Sequence, residues 1–418
     1  MIGQVQILRI WLVHPSFSEA SAAREGVIRY ITNLVKALLQ YSNIGIEIWC
    51  LDSTKENIQK VFNDACSLSF QIHRIKYISH DEFRITKAIN KKKEKNAVLL
   101  IPLCGMVYYQ GITLKNKVLI LMDLFTVVFY ELFKIIHQNI DVETEFLLNS
   151  IENLRKDGCF FVANSESIID NHILKYTKIT RSDCDFVYLP VPTYSGDIIS
   201  KEELFTKFNI TSEYIIFPTQ IRPHKNIEVL LKLLILLRKS NIKLKLLLTG
   251  NLQDFPPNYD FAVQNNLLED IIFTKSVSSL ELHSLYSYAF VCIASSFEEG
   301  GMPWPIFEAL DAKCPVIAAD IAVTRERLSY HKLNYQTSGI PVFDPSDAES
   351  LLTSILEVIK NRNAILEKQQ NAKNQLFSWT WQNVADKYCS IFNKIVAKCD
   401  LYQRKNIFYY WNKLFQRK

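Results

Sequence analysis

No run of 18 or more consecutive apolar residues occurs in this sequence. The longest clean run, about Ala97 to Tyr109, is too short to cross a bilayer. Glycine is scarce, 11 among 418 residues, and no two glycines stand in a Gly-x-Gly pattern. The dinucleotide fingerprint GxGxxG is therefore missing, and so is the P-loop pattern of nucleotide hydrolases. There is no GxSxG nucleophile elbow and no HExxH helix. Hydride transfer, P-loop phosphoryl transfer, serine hydrolysis and zincin chemistry all lose their signatures. The nine cysteines include no CxxC pair, which argues against a zinc site or a redox pair. They read as buried reduced thiols, and the first 13 residues show no cleavage pattern. The expectation is a cytoplasmic chain with no transmembrane helix.

Charge is nearly absent as a net quantity from most of the chain. The formal net charge is +5, but residues 391–418 alone carry seven basic groups against Asp400, so the other 390 residues are close to neutral. A nucleic-acid protein would spread a basic stripe over its folded face, so no nucleic-acid partner is expected. Hydrophobic residues at 48% and charged residues at 22% suit a soluble globular protein, and the length suits two domains or three.

What is present is a repeated alternation of apolar strands and amphipathic helices. Strands are expected at Val5–Val13, Ile44–Leu51, Gln71–Ile78, Ala97–Leu103, Lys117–Leu121, Cys159–Ala163 and Phe186–Val191. The stretch Val27–Gln40 puts Ile28, Ile31, Leu34, Val35, Leu38 and Leu39 on one helical face. After a break at Thr193–Lys201 the alternation restarts. Strands are expected at Tyr214–Pro218, Leu244–Leu248, Ile271–Phe273, Val291–Ala294, Pro315–Ala318 and Pro341–Phe343. Helices are expected near Ile227–Lys239, Ser279–Tyr288, Pro305–Ala312 and Ala348–Arg362. Near-continuous apolar strands alternating with helices predict an α/β chain of parallel sheets covered on both faces. Two such runs of similar size predict two Rossmann-like domains.

Two segments carry chemistry. Phe297-Glu298-Glu299-Gly300-Gly301-Met302-Pro303-Trp304-Pro305-Ile306-Phe307-Glu308 follows an apolar strand and opens a helix. Proline suits a first helical turn, and the Gly-Gly backbone with the helix N-terminus makes a natural anion site. Glu308 is read in the first helical turn, within reach of a ligand's hydroxyls. The second segment, Tyr214 to Asn226, runs from a strand into a turn holding Arg222 and Lys225, two cations able to neutralise a diphosphate. Asn226 is the expected N-cap of the helix that follows.

In order and spacing these segments resemble the nucleotide-sugar glycosyltransferases of family 4, group 1, which have the two-domain GT-B fold with parallel sheets facing across a cleft. The resemblance is strongest over about 214–345. It includes Leu247-Leu248-Thr249-Gly250 and the run through Glu308-Ala309-Leu310 to Ala319-Asp320. In the first half, Gly26-Val27-Ile28-Arg29-Tyr30 resembles the family's glycine turn, and Phe161-Val162-Ala163-Asn164-Ser165 its late strand and helix start. The resemblance implies an acceptor-binding domain over 1–195, a donor-nucleotide domain over 196–375, and C-terminal helices over 376–418 that cross back to the first domain. It implies donor contacts at Gly26, Gln220, Arg222, Lys225, Gly300, Gly301, Met302 and Glu308, with Lys225 at the phosphates and Glu308 at the ribose. Glu299 and Asp123 fall at the catalytic positions. Three positions differ from the family's pattern. Eight residues, not seven, separate Glu299 from Glu308; Gln220 stands where an arginine is usual; and Met122 stands where a histidine precedes Asp123. One bulged residue before the helix would set Glu299 toward the sugar.

The expected activity is retaining transfer of a hexose from a UDP- or GDP-sugar to a glycan or lipid-linked acceptor, in bacterial surface polysaccharide or lipopolysaccharide synthesis. No cofactor and no metal are expected, since cations and backbone N–H groups neutralise the diphosphate and no Asp-x-Asp is read as holding an ion. The alternative from another class is a non-catalytic GT-B relative acting as a binding or scaffold protein. A glycoside hydrolase using paired carboxylates would leave the phosphate-facing cations unexplained. Over 401–418, aromatics interleaved with Arg404, Lys405, Lys413, Arg417 and Lys418 suit an anionic membrane surface, hence a peripheral location on the inner face of the plasma membrane.

Overall fold

The computed structural model describes residues 5–18, 26–40, 44–66, 72–92, 94–102, 111–191, 193–194 and 196–415, with side chains apart from 16, 18, 26 and 399–415. The chain divides into two compact units. Unit 1 is Met1–Leu124, Val142–Tyr188 and Thr380–Lys418; unit 2 is Phe125–Asp141 and Leu189–Trp379.

Unit 1 is built on seven parallel strands: β1 (Ile7–Leu12), β2 (Gly45–Leu51), β3 (Ile75–His80), β4 (Ala97–Ile101), β5 (Lys117–Ile120), β6 (Phe160–Ala163) and β7 (Cys184–Phe186). Their order is β3-β2-β1-β4-β5-β6-β7. The chain starts in the middle, winds one way to β3, then returns to β4 beside β1, so the sheet switches direction between β1 and β4. Helices must cover both faces of such a sheet, and the strands are accordingly apolar along their length: all five residues of β4 are buried. Buried charge is accepted where it is paired, as at Arg9 and at Lys117, which reaches Asp157 at 3.3 Å. Arg9 on β1 lies in register with Glu47 on β2 and binds it at 2.9 Å, and Arg9 also binds Glu94 at 2.6 Å.

Unit 2 repeats the plan with six parallel strands: β8 (Tyr214–Phe217), β9 (Lys245–Leu248), β10 (Ile271–Phe273), β11 (Val291–Ala294), β12 (Val316–Ala319) and β13 (Val342–Phe343), in the order β10-β9-β8-β11-β12-β13. Its switch lies between β8 and β11, paired through Val291↔Ile215 and Cys292↔Ile216. The two faces are filled separately. Leu230, Leu234 and Leu237 of the Ile227–Lys239 helix pack on one face, and Ile306, Phe307 and Leu310 of the Trp304–Asp311 helix on the other.

Several expectations are corrected at element ends. Gln71–Ile78 is not one strand: a 3-10 turn, Ile72–Arg74, precedes β3. The strand expected at Phe186–Val191 is β7, which ends at Phe186. Val187 N still reaches Ala163 O at 2.9 Å, after which the buried apolar residues leave the sheet toward Pro190. The helix expected at Ala348–Arg362 runs on to Leu376 through a kink at Asn361, where φ is −126° and ψ 25°. The domain limits expected at 195/196 and 375/376 appear as unit limits at 188/189 and 379/380. Residues 125–141, expected in the first domain, group with unit 2 because Phe125, Phe133 and Ile140 form a buried cluster that stacks on His224.

The last helix, Trp381–Phe415, returns to unit 1. Val384, Ala385, Tyr388, Ile391, Phe392 and Val396 make its fully buried stripe, and Tyr388 meets Tyr30 of the Gly26–Leu38 helix hydroxyl to hydroxyl at 3.1 Å. The basic aromatic side chains of 401–418 lie outside the described residues. Among the described residues no helix is long and apolar enough to cross a membrane. Cys50, Cys66, Cys159, Cys184, Cys292 and Cys314 are buried free thiols and Cys389 is half-buried; Cys104 and the Cys399 side chain lie outside what is described.

Candidate active site

Open parallel sheets bind ligands beyond the carboxyl ends of their strands, at the point where the winding reverses. In unit 2 that point is the β8–β11 pair. The two chemistry-bearing segments leave the sheet there, 218–226 from β8 and 295–303 from β11. Their side chains meet. Lys225 Nζ donates to Glu299 Oε1 at 2.5 Å, and Ser296 Oγ donates to the same oxygen at 2.6 Å. Ser295 Oγ donates to the Lys225 carbonyl at 3.0 Å, and Phe297 N to the His224 carbonyl at 2.9 Å. Three of these contacts stitch one loop to the other, and the Ser296 bond braces Glu299 within its own loop.

The pair is largely withdrawn from water, with side-chain exposures of 18% for Lys225 and 16% for Glu299. Burial pushes the Glu299 carboxyl upward. The Lys225 ammonium, the His224 ring and the hydrogen bonds from Lys225 and Ser296 outweigh that and hold it below the usual glutamate value, so the carboxylate is charged. His224 behaves oppositely. Burial first, then the charge of Lys225, pushes its pKa down to about 3. Its ring stacks on Phe125 with centroids 4.4 Å apart and an interplanar angle of 26°, and Phe129 and Phe133 follow at 6.2 Å. Burial beside the Lys225 ammonium thus keeps the imidazole neutral.

The loop after β9 is pressed against the loop after β8. A Cβ on Gly250 would lie 2.7 Å from the Thr219 carbonyl oxygen and 2.9 Å from Ile221 Cγ1, so only glycine fits. Asn226 opens the Ile227–Lys239 helix in the left-handed conformation, φ 52°. Contrary to the N-cap role expected from sequence, its side chain makes no capping bond and instead donates to the Pro345 carbonyl at 2.7 Å, tying the lysine loop to the end of β13. Arg222 is exposed and donates to Gln220 Oε1 at 2.7 Å, so these two candidate donor contacts are partners of each other.

The helix after the Gly-Gly turn begins at Trp304 with Pro303 before it. Glu308 is therefore its fifth residue and stands in the second turn, not the first. Its Oε2 accepts the Tyr286 hydroxyl at 2.8 Å; burial first, then the charge of Glu308, raises the Tyr286 pKa well above the usual phenol value. Met302 is in the core with 5% exposure, so its side chain packs and only its backbone remains for a ligand. Gly301 is buried and Gly300 half-buried within the turn.

The remaining candidates belong to unit 1. Gly26 starts the helix that follows β1, beside the switch between β1 and β4. Asp123 follows β5, half-buried, between Leu121, whose N–H extends the ladder to Val162 O at 2.8 Å, and Leu124, whose N–H reaches His172 Nδ1 at 3.1 Å. The sequence does contain one Asp-x-Asp, Asp183-Cys184-Asp185. Its carboxylates serve structure: Asp185 pairs with Lys387 at 3.2 Å and Asp183 lies 3.8 Å from Lys398. Among the described residues no three of His, Cys, Asp and Glu converge as a metal-binding group would.

Sequence reasoning missed Ser296, Tyr286, His224 and His172. Serine after a strand and tyrosine on a helix carry no signal of their own, and only the fold shows which carboxylate each one holds.

Residues 200–376 match the family model described as glycosyl transferases group 1. Among curated proteins none matches the chain in sequence. Among solved structures the chain is similar to HepE of Anabaena, in complex with UDP and glucose, at a TM-score of 0.64 and 10% identity over 93% of this chain and 100% of that one. It is similar also to sucrose-phosphate synthase of Thermosynechococcus elongatus, at 0.63 and 15% identity over 94% and 100%. A glycosyltransferase of Rickettsia africae gives 0.59 and 14% identity over 93% and 98%. Identities this low speak for the fold, and the fold is GT-B. The family match spans all of the unit 2 sheet and the two segments joined by Lys225 and Glu299, so that over residues 200–376 the chain is similar to the group 1 glycosyl transferases.

Proposed function

We propose that the chain moves a hexose from a UDP- or GDP-sugar to a hydroxyl of a glycan or lipid-linked acceptor, with retention at the anomeric carbon. The observation that carries this reading is the Lys225–Glu299 pair at the unit 2 switch point. An ammonium has three donors, and Glu299 takes one, so two remain for a diphosphate. Both bonds described on Glu299 fall on Oε1, which makes Oε2 the acceptor available to hydroxyls of the donor sugar. Glu308, steadied by Tyr286, takes the ribose hydroxyls. Lys225 and Arg222 together offset the charge that develops on the leaving diphosphate, the electrostatic role a metal would otherwise fill. In unit 1, Asp123 orients the acceptor hydroxyl and receives its proton. HepE is described with UDP-glucose as well as with UDP and glucose, which supports a nucleotide-sugar donor here. The acceptor class, a place in bacterial surface polysaccharide or lipopolysaccharide assembly and a peripheral position at the inner membrane face rest on the family resemblance and on the basic tail.

The test is calorimetric titration of the protein and of Lys225→Ala with UDP and GDP. A panel of UDP-glucose, UDP-galactose, UDP-N-acetylglucosamine and GDP-mannose is then followed by NMR for turnover and anomer. A charge-assisted phosphate contact is worth roughly 1.5–3 kcal/mol, so the lysine variant should bind the diphosphate about 10- to 100-fold more weakly. A folded variant with unchanged affinity for both nucleotides would overturn the reading.

A further inference from the structure

We infer that His172 is a positioning residue for Asp123, holding as a neutral imidazole the backbone arch on which that carboxylate stands. The inference rests on the reading of Asp123 as the acceptor-side carboxylate.

The chain leaves β5 through Leu121, whose N–H is still bonded to Val162 O on β6. Met122 and Asp123 come next. The following amide, Leu124 N, is held by His172 Nδ1 at 3.1 Å in a fully buried bond. The two-residue arch Met122–Asp123 is thus pinned at both feet, one by the neighbouring strand and one by a side chain. Leu124 itself is buried, at 1% exposure, so the second foot is packed as well as bonded.

His172 is not on an ordinary helix. Ser165 caps a segment in which Glu166–Ile168 is α-helical, Ile169–Ile173 is a π-helical turn and Leu174–Tyr176 is α-helical again. A π turn carries one more residue than an α turn, and each residue of an α-helix rotates the chain by about 100°, so removing the insertion would swing the imidazole off the β5 loop. Single π turns inside helices occur often at functional sites. This one costs helical regularity, and what it delivers is the aim of a ring with 0% exposure at one backbone amide.

The bond also dictates the ring's chemistry. Nδ1 accepts, so it carries no proton, and the neutral ring bears its proton on Nε2. A cation could not accept from Leu124, and an apolar ring of similar shape would fill the space but leave that amide unbonded. Asparagine sets its Oδ1 close to where Nδ1 stands, whereas glutamine places its amide one bond further out.

The experiment compares His172→Phe, His172→Asn and His172→Gln in the full chain, each also combined with Asp123→Asn. The readouts are turnover of whichever nucleotide sugar of the panel reacts fastest and UDP affinity. His172→Phe should lower kcat roughly 10- to 100-fold, the scale of a misplacement of about 1 Å, with UDP affinity unchanged. His172→Asn should recover most of that loss and His172→Gln little of it. In the Asp123→Asn background the His172→Phe penalty should vanish, since it acts through a carboxylate no longer present. The 15N spectrum of histidine-labelled protein should show His172 protonated at Nε2 and bare at Nδ1. Undiminished kcat in folded His172→Phe, equal losses for Asn and Phe, penalties that multiply in the double variant, or a protonated Nδ1 would each overturn the proposal. Undiminished turnover in Asp123→Asn alone would instead remove the reading of Asp123 on which it stands. Should His172→Phe fail to fold, the Asn-against-Gln comparison decides the same point.

Discussion

His224 stands one residue before Lys225, against three phenylalanines and near the charges of Lys225, Arg222 and Glu299. Its pKa in the folded chain, about 3, lies below the value of 6.5 that the ring has in water. Between those two values the unfolded chain holds a proton on this residue and the folded chain does not. Stability is therefore complete above pH 6.5 and falls as pH drops toward 3, by up to about 1.4 kcal/mol per pH unit from this one group. His224→Phe keeps the stack and removes the proton, so its unfolding free energy, measured in denaturant at several pH values, should fall less steeply over that window. Equal slopes for the two proteins would show that the ring titrates normally. Single residues also mark where the sequence was readable. The loop that carries Lys225 and the turn that opens the Trp304–Asp311 helix are legible because each follows an apolar strand, although Glu308 stands in the second helical turn and not the first. Tyr286 and His172 are not, because each owes its role to a partner far away in sequence: Tyr286 lies 22 residues from Glu308 and His172 lies 48 from Leu124; Ser296 lies only three from Glu299, but a serine after a strand carries no signal of its own.

Among the elements, the strands at the middle of each sheet were the easiest to place. β4, β8 and β11 are buried on both faces, so their apolar runs have no competing pattern. The edges were harder. β7 pairs on one side only and is three residues long, and the apolar stretch after it is buried without being strand, so hydrophobicity there reports burial rather than pairing. The Asn361 kink is similarly silent, because asparagine in a helix usually costs only a few tenths of a kcal/mol. At the site, the loops after β8 and β9 depend on one close approach. Gly250→Ala would drive a methyl into the Thr219 carbonyl and Ile221, and overpacking of this kind costs about 1–3 kcal/mol. The strain would fall on the segment that carries Arg222 and Lys225. Gly250→Ala should therefore lower the melting temperature and weaken UDP or GDP binding together, read by thermal unfolding and calorimetry. A stability loss with nucleotide affinity intact would separate the glycine from the site.

For the molecule as a whole, the two-sheet plan was legible from alternation alone, whereas the division of the chain between units was not. Nothing local in Phe125–Asp141 says that its aromatics will stack on a histidine some hundred residues later. The terminal helix poses the same difficulty in reverse. Its buried stripe from Val384 to Val396 is plain once the partner helix is known, and beyond it the helix continues to Phe415. Basic groups near an anionic surface contribute about 1 kcal/mol each, so deleting Leu401–Lys418 should abolish co-sedimentation with phosphatidylglycerol vesicles at low salt and leave turnover of a soluble nucleotide sugar in place. Undiminished vesicle binding by the truncated chain, or none by the full chain, would count against a membrane role for the tail.

The return of that helix bears on the order in which the protein can be made. All seven strands of unit 1 have been synthesised by Phe186, yet the helix that covers Tyr30 and its neighbours ends its buried stripe only at Val396. Domains generally mature on the ribosome from the N-terminus onward. Here the first unit begun must wait for the helix that packs on Gly26–Leu38 while the entire body of the second, Leu189–Trp379, emerges and closes. During that interval the apolar face of the Gly26–Leu38 helix that Tyr388 and its neighbours later cover is a surface for chaperones to guard.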